Sequence, residues 1–362
     1  MEGQRRKLCF QRLDSRGDID AFWDADQISG QMLEYRVSNR LDTGASPDAT
    51  RAVTAFEETA FVRDVVADFL AGVDICESFG AVVVTGGMGK SSFLLPSTDV
   101  LIQVREVQKW HEPVVEACRS WSRRGYRIAT LVTTGRLGNV IYYAFTWISG
   151  RPLEAALSAH TKADQRLLLS AFGARARELC SIPTVDFGEF RCGFRGQFST
   201  WSQFVLARMY QNLTTAHYSG LLPQGGFPYT RFMQRAREIL DHTSRSSWNP
   251  RPMLVYVDVS LSNALICTGN EITIIDYDYL ISGDPLFALA RFSIVVDDHD
   301  KFRWFAQGFG SELPTDSDLF KIYQILHILE LLATPSFGGN QILERRGRLQ
   351  SSLISMLADQ AL

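Results

Sequence analysis

One interval in a helix-patterned second half is not helical. Met253 to Val259, Ala264 to Cys267 and Ile272 to Asp276 are three short apolar runs of β type around a compact polar loop. The interval reads Tyr256-Val257-Asp258-Val259-Ser260-Leu261-Ser262-Asn263, then Ile274-Ile275-Asp276-Tyr277-Asp278, then Gly283-Asp284-Pro285-Leu286-Phe287-Ala288-Leu289-Ala290. It fixes an aspartate, an asparagine five positions on and a second aspartate at a strand end, all beside apolar β structure. These are hard oxygen donors. Phosphoryl transfer to a hydroxyl needs such groups: a carboxylate at the accepting oxygen, and oxygen ligands that hold magnesium against a triphosphate.

The interval sits in a chain with two kinds of patterning. Residues 1–55 are polar and poorly periodic. From Ala55 to Leu70 the apolar positions Phe61, Val65, Val66, Phe69 and Leu70 recur at helical steps. Strand-like runs follow at Phe79 to Thr85, Ser92 to Leu95 and Val100 to Val104, then a helix from Trp110 to Arg124, then strands from Ile128 to Thr133 and Val140 to Trp147. This β-β-β-α-β-β order gives way after Ser149-Gly150-Arg151-Pro152 to helices over Leu153–Leu179, Trp201–Leu213 and Tyr229–His242. At 362 residues the chain is long enough for two lobes. Residues 1–55 read as an extension, 56–149 as a small nucleotide-binding lobe and 150–362 as a helical lobe carrying the catalytic loop and acceptor site.

The Asp258-to-Asn263 step matches the kinase catalytic loop, and the whole interval resembles the aminoglycoside-phosphotransferase family of protein-kinase-like enzymes. There, an H-G-D-x-x-x-x-N loop precedes an I-D-W/Y-[DE] motif and a G-D-P-x-x-D-L-A helix start. The likeness extends over roughly residues 60 to 330. It implies an α+β, two-lobe fold: a small antiparallel sheet with one helix, then a larger, mainly helical lobe. It further implies Asp258 as catalytic aspartate, Asn263 and Asp276 as magnesium ligands, Asp278 as a metal ligand or outer-shell residue, and Asp284 with Pro285 as structural. Tyr256 and Val257 depart from the family's His and Gly, and Ala288 from its usual buttressing Asp.

Gly86-Gly87-Met88-Gly89-Lys90-Ser91 is glycine-rich, and Gly86, Gly87 and Gly89 would let backbone approach phosphate. It is not a P-loop of the G-x-x-x-x-G-K-[ST] type, because Val84 stands at the first glycine and Ser92 to Leu95 reads as a strand where a helix should open. The next strand, Leu101-Ile102-Gln103-Val104-Arg105, places neutral Gln103 where the family's phosphate-binding cation stands. Either Lys90 reaches the phosphates from the glycine loop, as in the with-no-lysine kinases, or the register slips and Arg105 points inward; Lys90 is preferred. Glu116, or Glu112 one turn away, is the expected helix partner of that cation.

Charge and composition exclude several classes. With 37 basic and 40 acidic side chains the net charge of -3 leaves no broad footprint for nucleic acid or an anionic membrane. The six cysteines and six histidines show no metal spacing, so reduced, packed thiols are expected. No apolar stretch suits a signal peptide or spanning helix, which points to the cytoplasm. The acidic run Asp297-Asp298-His299-Asp300 reads as a solvated face. The expectation is an ATP (or GTP) and Mg2+-dependent phosphotransferase acting on a small-molecule hydroxyl such as that of an antibiotic, sugar or amino alcohol. The acceptor is expected between the catalytic loop and helices near Trp201 to Tyr210 and Phe287 to Trp304. Two alternatives stay open: a kinase-like tailoring enzyme acting on peptide Ser or Thr, and a nucleotide-binding pseudokinase. The sequence sets no oligomeric state.

Overall fold

A computed structural model describes residues 82–83, 90–95, 99–106, 111–137, 140–191, 193–218, 229–245, 250–296, 298–310, 312–333 and 340–358. All belong to one compact unit, Ile75–Leu362. The extension 1–55, the helix expected from Ala55 to Leu70 and the glycines Gly86, Gly87 and Gly89 lie outside the described residues.

The first lobe is an antiparallel sheet of β1 (Val82–Val83), β2 (Lys90–Leu95), β3 (Val100–Glu106), β4 (Leu131–Leu137) and β5 (Val140–Thr146), in the order β1-β2-β3-β5-β4. Helix α1 (His111–Arg123) is inserted between β3 and β4. Side chains alternate across a strand, so Val100, Ile102 and Val104 bury one face of β3 while Gln103 and Arg105 share the other. Helix α1 buries Val114, Ala117, Cys118 and Trp121, a three- and four-residue stripe, and Trp121 Nε1 donates to the Leu179 carbonyl at 3.1 Å. Strand β4 starts later than its sequence suggests. Ile128 instead makes a single parallel bridge to Ile274 in the second lobe.

The second lobe runs β6 (Arg151–Pro152), α2 (Leu153–Leu157), α3 (Lys162–Leu179), α4 (Trp201–Tyr218), α5 (Tyr229–Arg245), β7 (Met253–Tyr256), β8 (Ala264–Ile266), β9 (Ile272–Ile274), β10 (Leu280–Gly283), α6 (Pro285–Val296), α7 (His299–Gly310), α8 (Asp318–Ala333) and α9 (Asn340–Ala358). The helix expected over Leu153–Leu179 breaks into α2 and α3 because Thr161 caps α3. Its hydroxyl accepts from Asp164 N–H at 3.2 Å and donates to Asp164 Oδ2 at 2.7 Å. A small sheet beside a helical body is the α+β, two-lobe architecture expected from the sequence. Among the described residues, no helix is long and apolar enough to cross a membrane.

The first aromatic residues of α4 are core. Trp201 is buried against Phe187, Phe204, Phe287 and Tyr323, and its Nε1 donates to the Tyr323 hydroxyl. Phe204, Val205 and Met209 are buried with it, and so are Phe287, Phe292 and Phe305. Apolar burial outcompetes ligand contact along these helix faces. Of the aromatic residues expected at the acceptor, Trp201, Phe204, Phe287, Phe292 and Phe305 are core, whereas Tyr210 and Trp304 are half-buried and Trp304 lines an open pocket with Phe302, Arg166 and Asp298.

Candidate active site

Two short ladders end at the same place. Strands β7 and β10 pair antiparallel with Tyr256 opposite Leu280, and the Val257 N–H donates to the Tyr279 carbonyl at 2.9 Å. One step further, Asp258 and Asp278 leave this ladder together. Strands β8 and β9 pair with Ala264 opposite Ile274, and the Ile275 N–H donates to the Asn263 carbonyl at 2.9 Å. Asn263 and Asp276 thus leave the second ladder side by side. The apolar strands fix the register, and the register fixes the polar residues at their ends.

Asp258 is half-buried and held by Asn263, whose Nδ2 donates to the Asp258 backbone carbonyl at 3.0 Å and to Oδ2 at 2.9 Å. This commits the amide nitrogen to Asp258 and keeps the Asn263 carbonyl oxygen as the atom able to ligate a cation. A turn over Leu261–Asn263 sets the spacing, with the Asn263 N–H bonded to the Ser260 carbonyl at 3.2 Å. Asp276 has φ 67, the left-handed region that aspartate tolerates better than most side chains. Tyr277 anchors the bend. It is buried among Trp121, Phe145 and Tyr256, its hydroxyl donates to the Ile274 carbonyl at 2.5 Å, and it accepts from the Ala129 N–H at 3.0 Å.

Tyr256, where the resembling family has histidine, is fully buried. Its hydroxyl donates to the Ile275 carbonyl at 3.3 Å and so ties the start of the catalytic loop to the strand end before Asp276. Burial, then the charges of Asp258 and Asp276, push the phenol well above its ordinary value of 10.0. It remains a neutral donor between two carboxylates.

The two candidate cations lie on neighbouring strands. Lys90 begins strand β2 and stands opposite Arg105 in the register, so a strand and not a helix follows the glycine loop. Arg105 shares the face of Gln103 without any slip, because two residues are one strand period. Its side chain is 6% exposed, and Nη1 lies 2.5 Å from Asp278 Oδ1. Nη2 donates to Gln103 Oε1 at 3.4 Å, and the guanidinium sits 5.2 Å from the Tyr143 ring centroid. Of the helix carboxylates, Glu112 is exposed, and Glu116 lies where a Cβ on Gly193 would meet its Oε2 at 3.2 Å. Asp278, not an α1 glutamate, is the carboxylate set against this cation.

Residues far apart in sequence also meet in a partly buried ionic group. Arg208 on α4 reaches Glu189 at 3.0 Å and Glu330 at 2.8 Å, the Tyr279 hydroxyl donates to Glu330 at 2.8 Å, and Arg291 lies 3.8 Å from Glu330. Its members are scattered in sequence, which hides the group. Despite burial, the His327 hydrogen bond and the arginine charges hold Glu330 well below the usual carboxylate range. Asp284 caps α6 by accepting from the Leu286 N–H at 3.0 Å and from the Tyr323 hydroxyl at 3.0 Å. Ala288, where an acidic buttress was the family pattern, is fully buried.

Among the described residues, no three or more His, Cys, Asp or Glu side chains are grouped to hold a metal by themselves.

No family model matches the chain, and no curated protein sequence does. Solved structures do. The chain resembles the crystal structure of aminoglycoside phosphotransferase APH(4)-Ia, with TM-score 0.62 at 15% identity over 83% of this chain and 100% of that one. It also resembles the streptomycin-ATP-APH(2")-IIa ternary complex, with TM-score 0.52 at 13% identity over 81% and 97%. The GDP complex of wild-type aminoglycoside 2'-phosphotransferase-IIIa gives TM-score 0.53 at 12% identity over 82% and 97%. This chain has the two-lobe, protein-kinase-like fold of the aminoglycoside phosphotransferases.

Proposed function

We propose that the chain transfers the γ-phosphoryl group of ATP or GTP to a hydroxyl of a small molecule. The observation that carries this reading is the Asp258 carboxylate, held by Asn263 at the end of one ladder while Asp276 ends the adjacent segment. Asp258 orients the acceptor hydroxyl and takes its proton as the acceptor oxygen bonds to the γ-phosphorus and the bond to the bridging oxygen breaks, releasing the nucleoside diphosphate. Asn263 and Asp276 would hold magnesium, which neutralises charge building on the phosphates. Lys90 and Arg105 stand opposite one another at the phosphate end of the sheet.

Structures of the same fold were solved with AMP-PNP and hygromycin B, with ATP and streptomycin, and with GDP, which supports a nucleotide and a polyhydroxylated acceptor here. The peptide-acceptor alternative rests on residues 1–55, outside the described residues. The test is transfer of radiolabelled γ-phosphate across a panel of amino sugars, sugars and amino alcohols. Labelled product with the wild type and at least about 100-fold slower labelling with Asp258→Asn is the expected result. Nucleotide binding without transfer to any acceptor favours the pseudokinase.

A further inference from the structure

Arg105 is held unusually. It is nearly enclosed, paired with Asp278 at 2.5 Å, hydrogen-bonded to Gln103 and stacked over Tyr143, yet its Nε is buried with no hydrogen-bond partner. A buried guanidinium with one N–H unmet is costly unless something else fills it. Arg105 is on β3 of the first lobe, and Asp278 is on the loop of the second, two residues past Asp276. Tyr277 locks that loop against Trp121 and Phe145, so the carboxylate is presented from a rigid base.

Resting on the phosphotransferase reading, we propose that Asp278 is a positioning residue rather than a metal ligand. It joins the two lobes and fixes Arg105 as the guanidinium that receives the nucleotide phosphates, the task a helix glutamate was expected to perform. Arginine suits this arrangement because its planar fork can pair with a carboxylate on one side and a phosphate on the other. The cation is then set by the loop that carries Asp276, and displacing α1 would not release it.

The test is calorimetric ATP affinity, with and without magnesium, for the wild type, Asp278→Asn, Arg105→Gln and the double variant. The wild type binding no nucleotide would overturn the phosphotransferase reading itself. With binding present, each single variant is expected to weaken ATP on the order of 10-fold, the double no more than the worse single, a non-additivity of the size seen for contacting residues. The magnesium concentration for half-maximal binding should not move in Asp278→Asn, and Asp278→Glu, which keeps a carboxylate in reach, should recover part of the affinity. Additive losses, or an Asp278→Asn effect confined to the magnesium requirement, would overturn the positioning role.

Discussion

Tyr256 makes a single hydroxyl hold two functional segments together. Its ring is core and its hydroxyl bonds the Ile275 carbonyl and the Asn263 side chain, so Tyr256→Phe keeps the packing and removes these polar ties. Leaving that carbonyl without its donor should cost about 1–3 kcal/mol in a thermal or urea melt. Turnover should fall more than nucleotide affinity, because the loop carrying Asp258 loosens while β2 and β3 do not. Asp258→Asn should lower kcat by about 10²–10⁴-fold, the usual worth of a positioned proton acceptor, with ATP affinity nearly unchanged. Asp258, Asn263 and Asp276 were legible from spacing, since spacing along a strand-loop-strand becomes position in space once register is set. The work of Tyr256 and the Arg105–Asp278 pair was not, because each needs a partner delivered by strand pairing between distant segments.

Helices α3 and α7 meet through glycines. A Cβ on Gly173 would stand 2.0 Å from the Phe305 carbonyl oxygen, and one on Gly308 would stand 1.8 Å from the Ser170 carbonyl oxygen. No L side chain fits without separating the helices, so Gly308→Ala should destabilise by about 1–3 kcal/mol or more in a denaturant melt, with the far-UV spectrum retained. Sequence pattern gave the helices and the β-β-β-α-β-β lobe because apolar periodicity is local. It missed the α2–α3 break, which a capping threonine decides, and strand β10, a run of only four residues whose pairing with β7 is long-range. The aromatic residues at the start of α4 were expected beside the acceptor. Long-range neighbours decide the role of Trp201, and Phe187, Phe287 and Tyr323 make it core.

Across the whole molecule, buried phenols set the alkaline limit of stability. Burial raises Tyr256, Tyr277 and Tyr323 well above 10.0, so above that pH the unfolded chain releases protons that the folded chain keeps. Stability is full below about pH 10 and falls as pH rises further, by about 1.4 kcal/mol per unit for each such tyrosine. Urea melts between pH 8 and 11 should show a flat region and then a steep decline. At the same scale the proposed function requires that the site bind a nucleotide through a metal held by Asn263 and Asp276. Calorimetry of ATP with and without magnesium, on the wild type and on Asp276→Ala, addresses it most directly. Binding should strengthen with magnesium in the wild type and lose that strengthening in Asp276→Ala; no nucleotide binding, or magnesium dependence that survives the substitution, would rule out this role of the site.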